Sequence, residues 1–291
     1  MRWSRGDRSN IEDQRSSSGA GLRRGVPIGI GGLLLILILS WLTGTDILSL
    51  LDGGGDAGVP PSAQVGGDAG VPTSPKEEER VDFVDAVMGD VQDTWQRALG
   101  TRYRATRVVL FRDAVRSACG IAGSASGPFY CPEDHKVYLD LGFFEELHRR
   151  FAADGDFAEA YVIAHEMGHH VQSLLGIDSR VRAAQESNPS QANELSVRLE
   201  LQADCLAGVW GFTASQPGRA AKGKVELEAG DAEDGLRAAA AIGDDRIQRM
   251  STGRVFPEKF THGSSEQRMT WFSRGLKTGR LEACNAFGNE F

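Results

Sequence analysis

The stretch on which the fold turns is Ala164-His-Glu-Met-Gly-His-His170. Phe157, Ala160, Tyr161, Ile163 and Ala164 lead into it at helical spacing and Gly176 follows. The pattern predicts one apolar helix from residue 156 to about residue 175, with Asp156 as cap and Glu159 completing a capping box. Positions i and i+4 of a helix share a face, so His165 and His169 aim two imidazoles at one point. Glu166 projects beside them, where a carboxylate takes a proton from water activated by a metal. That combination suits a zinc ion. The competing reading is a core helix with two hydrogen-bonded histidines; Gly168, which leaves room on one face, and further ligand candidates downstream weigh against it. His170 lies off the ligand face and reads as structural.

A catalytic zinc takes three protein ligands and keeps one position open. The downstream candidates are Glu194, Glu200, Asp204 and His262. Asn188 and Pro189 suit the start of a second helix reaching about residue 212. On it Glu200 and Asp204 again stand four apart, among Leu199, Leu201, Ala203, Leu206, Val209 and Trp210. Carboxylates in apolar surroundings need partners. This assigns Glu200 to the metal and Asp204 to the far nitrogen of a ligand histidine. A solvated acidic stripe is the alternative.

Around these helices the pattern gives an amphipathic helix through Val81, Val84, Met88, Val91 and Trp95, and β-branched or aromatic strands at 107–111 and 136–141. A helix follows at 231–242 with Gly243 as its terminating residue, and another begins after Ser264 or Ser265. The fold class is α+β, mostly helical with a small sheet. Asp244 and Asp245 either support the site or face solvent.

The chain has 291 residues, of which 41% are hydrophobic and 25% charged, ordinary for a globular protein. Residues 1–25 carry Arg2, Arg5, Arg8, Arg15, Arg23 and Arg24 against three acids, whereas the whole chain has a net charge of −8. An acidic body argues against nucleic-acid binding. Residues 26–42, VPIGIGGLLLILILSWL, are uncharged. With arginines before and aspartates after, they read as one transmembrane signal anchor, leaving the N-terminus cytosolic and the body extracytoplasmic; a cleaved signal peptide is the alternative. The expected organisation is a disordered cytosolic tail at 1–25, the span at 26–42, a flexible linker at 43–79 containing GGDAGVP twice, and a catalytic domain at 80–291. Cys119, Cys131, Cys205 and Cys284 all follow the span, and an even number in an oxidising compartment permits two disulfides in three connectivities. Pairing 119 with 131 and 205 with 284 is preferred, with free buried thiols as the alternative.

HEMGH followed by Glu200-Leu-Gln-Ala-Asp204 resembles the gluzincin arrangement of thermolysin and of the membrane-linked CaaX-processing endopeptidases. More closely, the chain resembles a bacterial family of neutral zinc metallopeptidases, through HEMGHHVQ at 165–172, LQADCLAGVW at 201–210, AAAIGDDR at 239–246 and THGSSEQR at 261–268. The likeness covers most of residues 80–288. It implies a zincin-like domain that hydrolyses peptide bonds in a protein or peptide substrate, with one zinc ion on His165, His169 and Glu200, Asp204 in support, and Glu166 as general base toward metal-activated water. Thr261-His262 through Arg268 is similar to the THPxxxxR stretch of the CaaX-type enzymes, with Gly263 in place of proline. By that likeness His262 hydrogen-bonds the oxyanion and Arg268 orients a substrate carbonyl or a nearby carboxylate. The plainer reading is that Ser264 caps a helix and Arg268 pairs with Asp244 or Asp245. An amidase acting on another amide shares this chemistry. A proteolytically silent zinc-binding scaffold or envelope interaction protein is the alternative of another class.

Overall fold

The computed structural model describes residues 1–16, 73–124, 127–151 and 155–288. Helix α1 spans Pro75–Leu99: Ser74 accepts the Glu77 N–H at 3.1 Å, Pro75 pre-sets the first turn, and Gly100 at φ 58° ends it. The helix therefore begins at Pro75, inside the stretch expected as linker. Val81, Val84, Met88, Val91 and Trp95 are fully buried along its inner stripe.

The main sheet runs β1-β2-β6-β5, with β1 Ile11–Asp13, β2 Val108–Phe111, β5 Phe129–Cys131 and β6 Lys136–Asp140. β1, β2 and β6 are parallel, and β5 is antiparallel to β6. β3 Ala114–Ser117 and β4 Gly120–Gly123 form a separate hairpin. The strands read from sequence are β2 and β6, whose continuous apolar runs suit burial on both faces.

β1 corrects the expected disordered tail over residues 1–16. Ile11, Glu12 and Asp13 pair with Val108, Val109 and Leu110. The arginines that suggested a cytosolic flank instead meet carboxylates of α1: Arg8 reaches Glu78 and Asp82, and Arg15 reaches Glu77 and Glu78. The single-pass arrangement is overturned with it. Two strands paired in one sheet lie on one side of a membrane, and no helix among the described residues is long and apolar enough to cross one. Residues 26–42 fall outside the described residues.

The helices after the sheet are α2 Gly142–Phe151, α3 Asp156–Leu174, α4 Ile177–Ser187, α5 Ala192–Ala214, α6 Asp231–Ala241, α7 Asp244–Thr252 and α8 Ser265–Thr278. α3 runs through the core, with Phe157, Ala160, Tyr161, Met167 and Val171 fully buried. Its start differs from the capping-box expectation: Gly155 at φ 122° is the cap, and Glu159 is buried against Arg80 of α1 at 3.3 Å. Gly176 at φ 68° stops it as expected. Ser264 caps α8 in a capping box with Gln267.

Two glycine contacts bring the helices together. A Cβ on Gly168 would lie 2.9 Å from the Ala203 carbonyl, so α3 and α5 touch backbone to backbone. A Cβ on Gly275 would run into the Cys205 carbonyl, which locks α8 against α5. Disulfides Cys119–Cys131 and Cys205–Cys284 fasten the hairpin to β5 and the C-terminal turn to α5.

Candidate metal centre and active site

The α3–α5 contact at Gly168 is what makes the site. Three residues before it on α3 is His165 and one after is His169; three before Ala203 on α5 is Glu200 and one after is Asp204. His165 Nε2 stands 3.1 Å from Glu200 Oε2, and His169 Nε2 stands 3.5 Å from Glu200 Oε1. The three donor groups lie within 4.8 Å of one another, so His165, His169 and Glu200 can hold a metal ion. For tetrahedral zinc with bonds of about 2.0–2.2 Å, neighbouring donor atoms stand about 3.3 Å apart. The separations of Glu200 from the two histidines fit that geometry.

The outer nitrogens fix which lone pairs face the centre. His165 Nδ1 is 2.9 Å from Asp204 Oδ1, a carboxylate that only accepts, so Nδ1 carries the hydrogen. His169 Nδ1 is 2.8 Å from Gln172 Oε1, while the Gln172 amide nitrogen donates to the Leu199 carbonyl at 2.7 Å and to Gln202 Oε1 at 3.1 Å. That leaves Gln172 Oε1 as an acceptor and puts the His169 hydrogen on Nδ1. Both Nε2 atoms therefore face the centre, where a metal would take their lone pairs.

Asp204 is fully buried and carries a heavy load. Arg268 donates to it from Nε at 2.8 Å and from Nη2 at 2.9 Å, and the Tyr161 hydroxyl donates to the same oxygen as His165. Arg268, itself 2% exposed, is thus paired with Asp204, neither with Asp244 nor with Asp245. Burial opposes ionisation of Asp204, but Arg268 and His165 outweigh it and lower its pKa. Burial likewise opposes charge on Glu200, and the surrounding histidines hold it well below the usual carboxylate range. Without a metal, burial disfavours a charged His165, yet Asp204 and Glu200 prevail and push it up to about 10.

His165, Glu166, His169, Glu200, His262 and Arg268 all border one cleft of about 520 Å³. His262 projects with its side chain 45% exposed. It is set by Asp244, one of the two aspartates whose role the sequence left undecided. Asp244 Oδ2 accepts the backbone N–H groups of Thr261, His262 and Gly263 at 2.7, 2.7 and 3.0 Å, and Oδ1 lies 3.3 Å from His262 Nδ1. Burial lowers the His262 pKa, but Asp244 and Glu200 reverse this and raise it. Gly243 is not a left-handed helix terminator: it sits at φ −72° as the cap of α7, and a Cβ there would collide with Ser265. His170 faces away, with Nε2 donating to the Arg104 carbonyl at 2.7 Å; burial brings its pKa down to about 4.

The sequence reading gave no role to Gln172 or Tyr161 and left that of Asp244 open. Gln172 and Tyr161 are one turn from His169 and His165, the helical spacing at which supporting side chains are found. Glu194 is 61% exposed, paired with Arg198, and takes no part.

The sequence profile of the family described as Putative neutral zinc metallopeptidase matches residues 1–287. The uncharacterized protein YpfJ of Escherichia coli K12 is 44% identical over 299 residues, covering 99% of each chain. The uncharacterized proteins Rv2575 of Mycobacterium tuberculosis H37Rv and Mb2605 of Mycobacterium bovis are each 46% identical over 208 residues, 70% of this chain and 69% of theirs. No solved structure matches the chain.

Proposed function

The chain belongs to the neutral zinc metallopeptidase family, and from that premise we propose that it is a zinc-dependent endopeptidase with Glu166 as its general base. The observation that carries the reading is the meeting, in one cleft, of three donors with their lone pairs turned inward and a carboxylate that is not among them. A zinc ion held by His165, His169 and Glu200 supplies Lewis acidity, polarising a carbonyl and acidifying water.

Glu166 takes the proton from the attacking water and delivers it to the leaving amine nitrogen. The Asp244 and Glu200 carboxylates favour the imidazolium form of His262, whose Nδ1–H faces Asp244 and whose Nε2–H is left to donate to the oxyanion as charge develops there. Asp204 and Gln172 keep the two ligand imidazoles in the required tautomer, and Arg268 neutralises Asp204. β5 supports a polypeptide substrate over a compact amide. Among the described residues it is the edge of the main sheet, and Phe129 and Tyr130 border the cleft, so its outer side can take an extended chain.

The test is Glu166→Gln. The variant is expected to bind zinc as the wild type does and to lose hydrolysis of an unstructured protein. Full hydrolysis by zinc-loaded Glu166→Gln would refute the assignment, and a wild type with bound zinc but no hydrolysis of any peptide or amide would favour the scaffold reading.

A further inference from the structure

We infer that the acidic face of α1 and the adjoining edge of β2 form a peptide-recognition groove, and that residues 1–16 of this chain are its releasable ligand. α1 presents Glu77, Glu78, Asp82 and Asp85 toward the segment. Arg8 answers with Nε on Asp82 at 2.6 Å and Nη1 on Glu78 at 2.7 Å. Arg15, 5% exposed, answers with Nη1 on Glu77 and Nη2 on Glu78, both at 2.9 Å. Without the segment Glu77 keeps Arg112, whereas Glu78 and buried Asp82 lose these guanidinium partners and buried Asp85 loses its hydrogen-bond donors.

Asp85 is the centre of the recognition. It is 2% exposed, and every hydrogen bond its carboxylate accepts among the described residues comes from the segment: Arg8 N at 3.0 Å, Asn10 N at 3.1 Å and Asn10 Nδ2 at 2.9 Å. Asn10 Oδ1 in turn accepts from Gln92 at 2.6 Å. Gly6 is required, since a Cβ there would run into Asp85, and Arg8 takes φ 60° to direct both its N–H and its guanidinium into α1. Main-chain pairing of β1 with β2 adds affinity that does not depend on side chains, while Gly6, Arg8, Asn10 and Arg15 supply the specificity, as in peptides that bind by adding a strand. Trp3 lies edge-on to Phe83, with ring centroids 5.5 Å apart, and Met1 and Arg2 extend the contact to Asp231 and Glu226.

The segment is joined covalently to the domain only through residues 17–72. Its other links are non-covalent and dominated by ion pairs at a partly exposed surface, where Arg8 is 38% exposed and salt screens the attraction. The class of ligand is therefore an extended, arginine-bearing peptide, and its binding weakens with ionic strength.

The experiment uses the full chain with a protease recognition sequence inserted between Gly54 and Gly55. After cutting, the N-terminal fragment is expected to co-elute with the domain at about 0.05 M salt and to separate at about 1 M. A labelled synthetic peptide of residues 1–16 is expected to exchange into the cut protein. Asn10→Ala and Arg15→Ala, placed in the peptide so that the domain is unaltered, each weaken it roughly 10- to 100-fold. Arg5→Ala, whose pair with Asp82 leaves the arginine 70% exposed, changes binding by less than about threefold. Separation of the fragment at low salt overturns the inference. So does a fragment that neither leaves nor exchanges until the domain unfolds, which makes it an integral strand, and so do Asn10→Ala and Arg15→Ala peptides that bind like the native one. All readouts are of binding and stand apart from catalysis.

Discussion

Replacing Asp204 by asparagine separates two roles that one buried carboxylate performs. In the native protein its two oxygens take the His165 Nδ1 hydrogen, two Arg268 hydrogens and the Tyr161 hydroxyl. Asparagine keeps the shape, loses the charge and exchanges one acceptor oxygen for an amide donor. Arg268, 2% exposed, then lacks its counter-charge, and breaking such a pair costs about 3–5 kcal/mol of folding stability. His165 loses the carboxylate that holds its hydrogen on Nδ1, so a fraction of molecules presents N–H rather than a lone pair to the centre. Loss of such a supporting partner lowers metal affinity roughly 10- to 100-fold. Urea unfolding of zinc-free protein reads the first effect, and chelator competition for zinc reads the second. Adding Arg268→Met to Asp204→Asn should recover much of the stability and none of the zinc affinity. Zinc affinity of Asp204→Asn within about twofold of wild type would refute the tautomer argument, whatever happened to stability.

Two other predictions follow from the same framework. Because His165 in the metal-free cage is pushed up to about 10, at pH 7 it carries a proton that a metal must displace. Titration calorimetry in buffers of different ionisation heat should show release of about one proton, with affinity rising as pH rises toward 10 and falling below; zero release would contradict the coupling. The two disulfides close loops of 79 and 12 residues, so Cys205→Ser with Cys284→Ser should destabilise by about 4.5 kcal/mol and Cys119→Ser with Cys131→Ser by about 2.8 kcal/mol. Urea midpoints that rank the other way would show that strain or residual structure dominates.

What was legible in the sequence was whatever one helix imposes on itself. The spacing of His165 and His169, the pairing of Glu200 with Asp204, and the apolar runs of β2 and β6 each follow from local period and residue type. What was hidden depends on a partner far away in the chain. Residues 1–16 have the composition of a disordered tail, and their order comes from β2 and from carboxylates on α1 some 70 residues on. The same gap misled the topology, because arginines beside an apolar run carry the membrane signal only when nothing else in the protein binds them. α7 has too polar a sequence to announce a helix; Asp245, accepting from the Ser265 N–H at 2.6 Å, and the tight Gly243–Ser265 approach place it. Gln172 could be found only after the identity of its neighbours on α5 was known, since its role rests on which of its two amide atoms Leu199 and Gln202 occupy.

The central claim is a zinc ion on His165, His169 and Glu200 with a separate base beside it. The most direct measurement is metal content by mass spectrometry of the intact native protein, for wild type, Glu166→Gln and Glu200→Ala prepared alike. The account predicts one zinc per chain in wild type and in Glu166→Gln, and loss of zinc in Glu200→Ala. A wild type that binds no zinc, or a Glu200→Ala variant that retains it with unchanged affinity, would contradict the account.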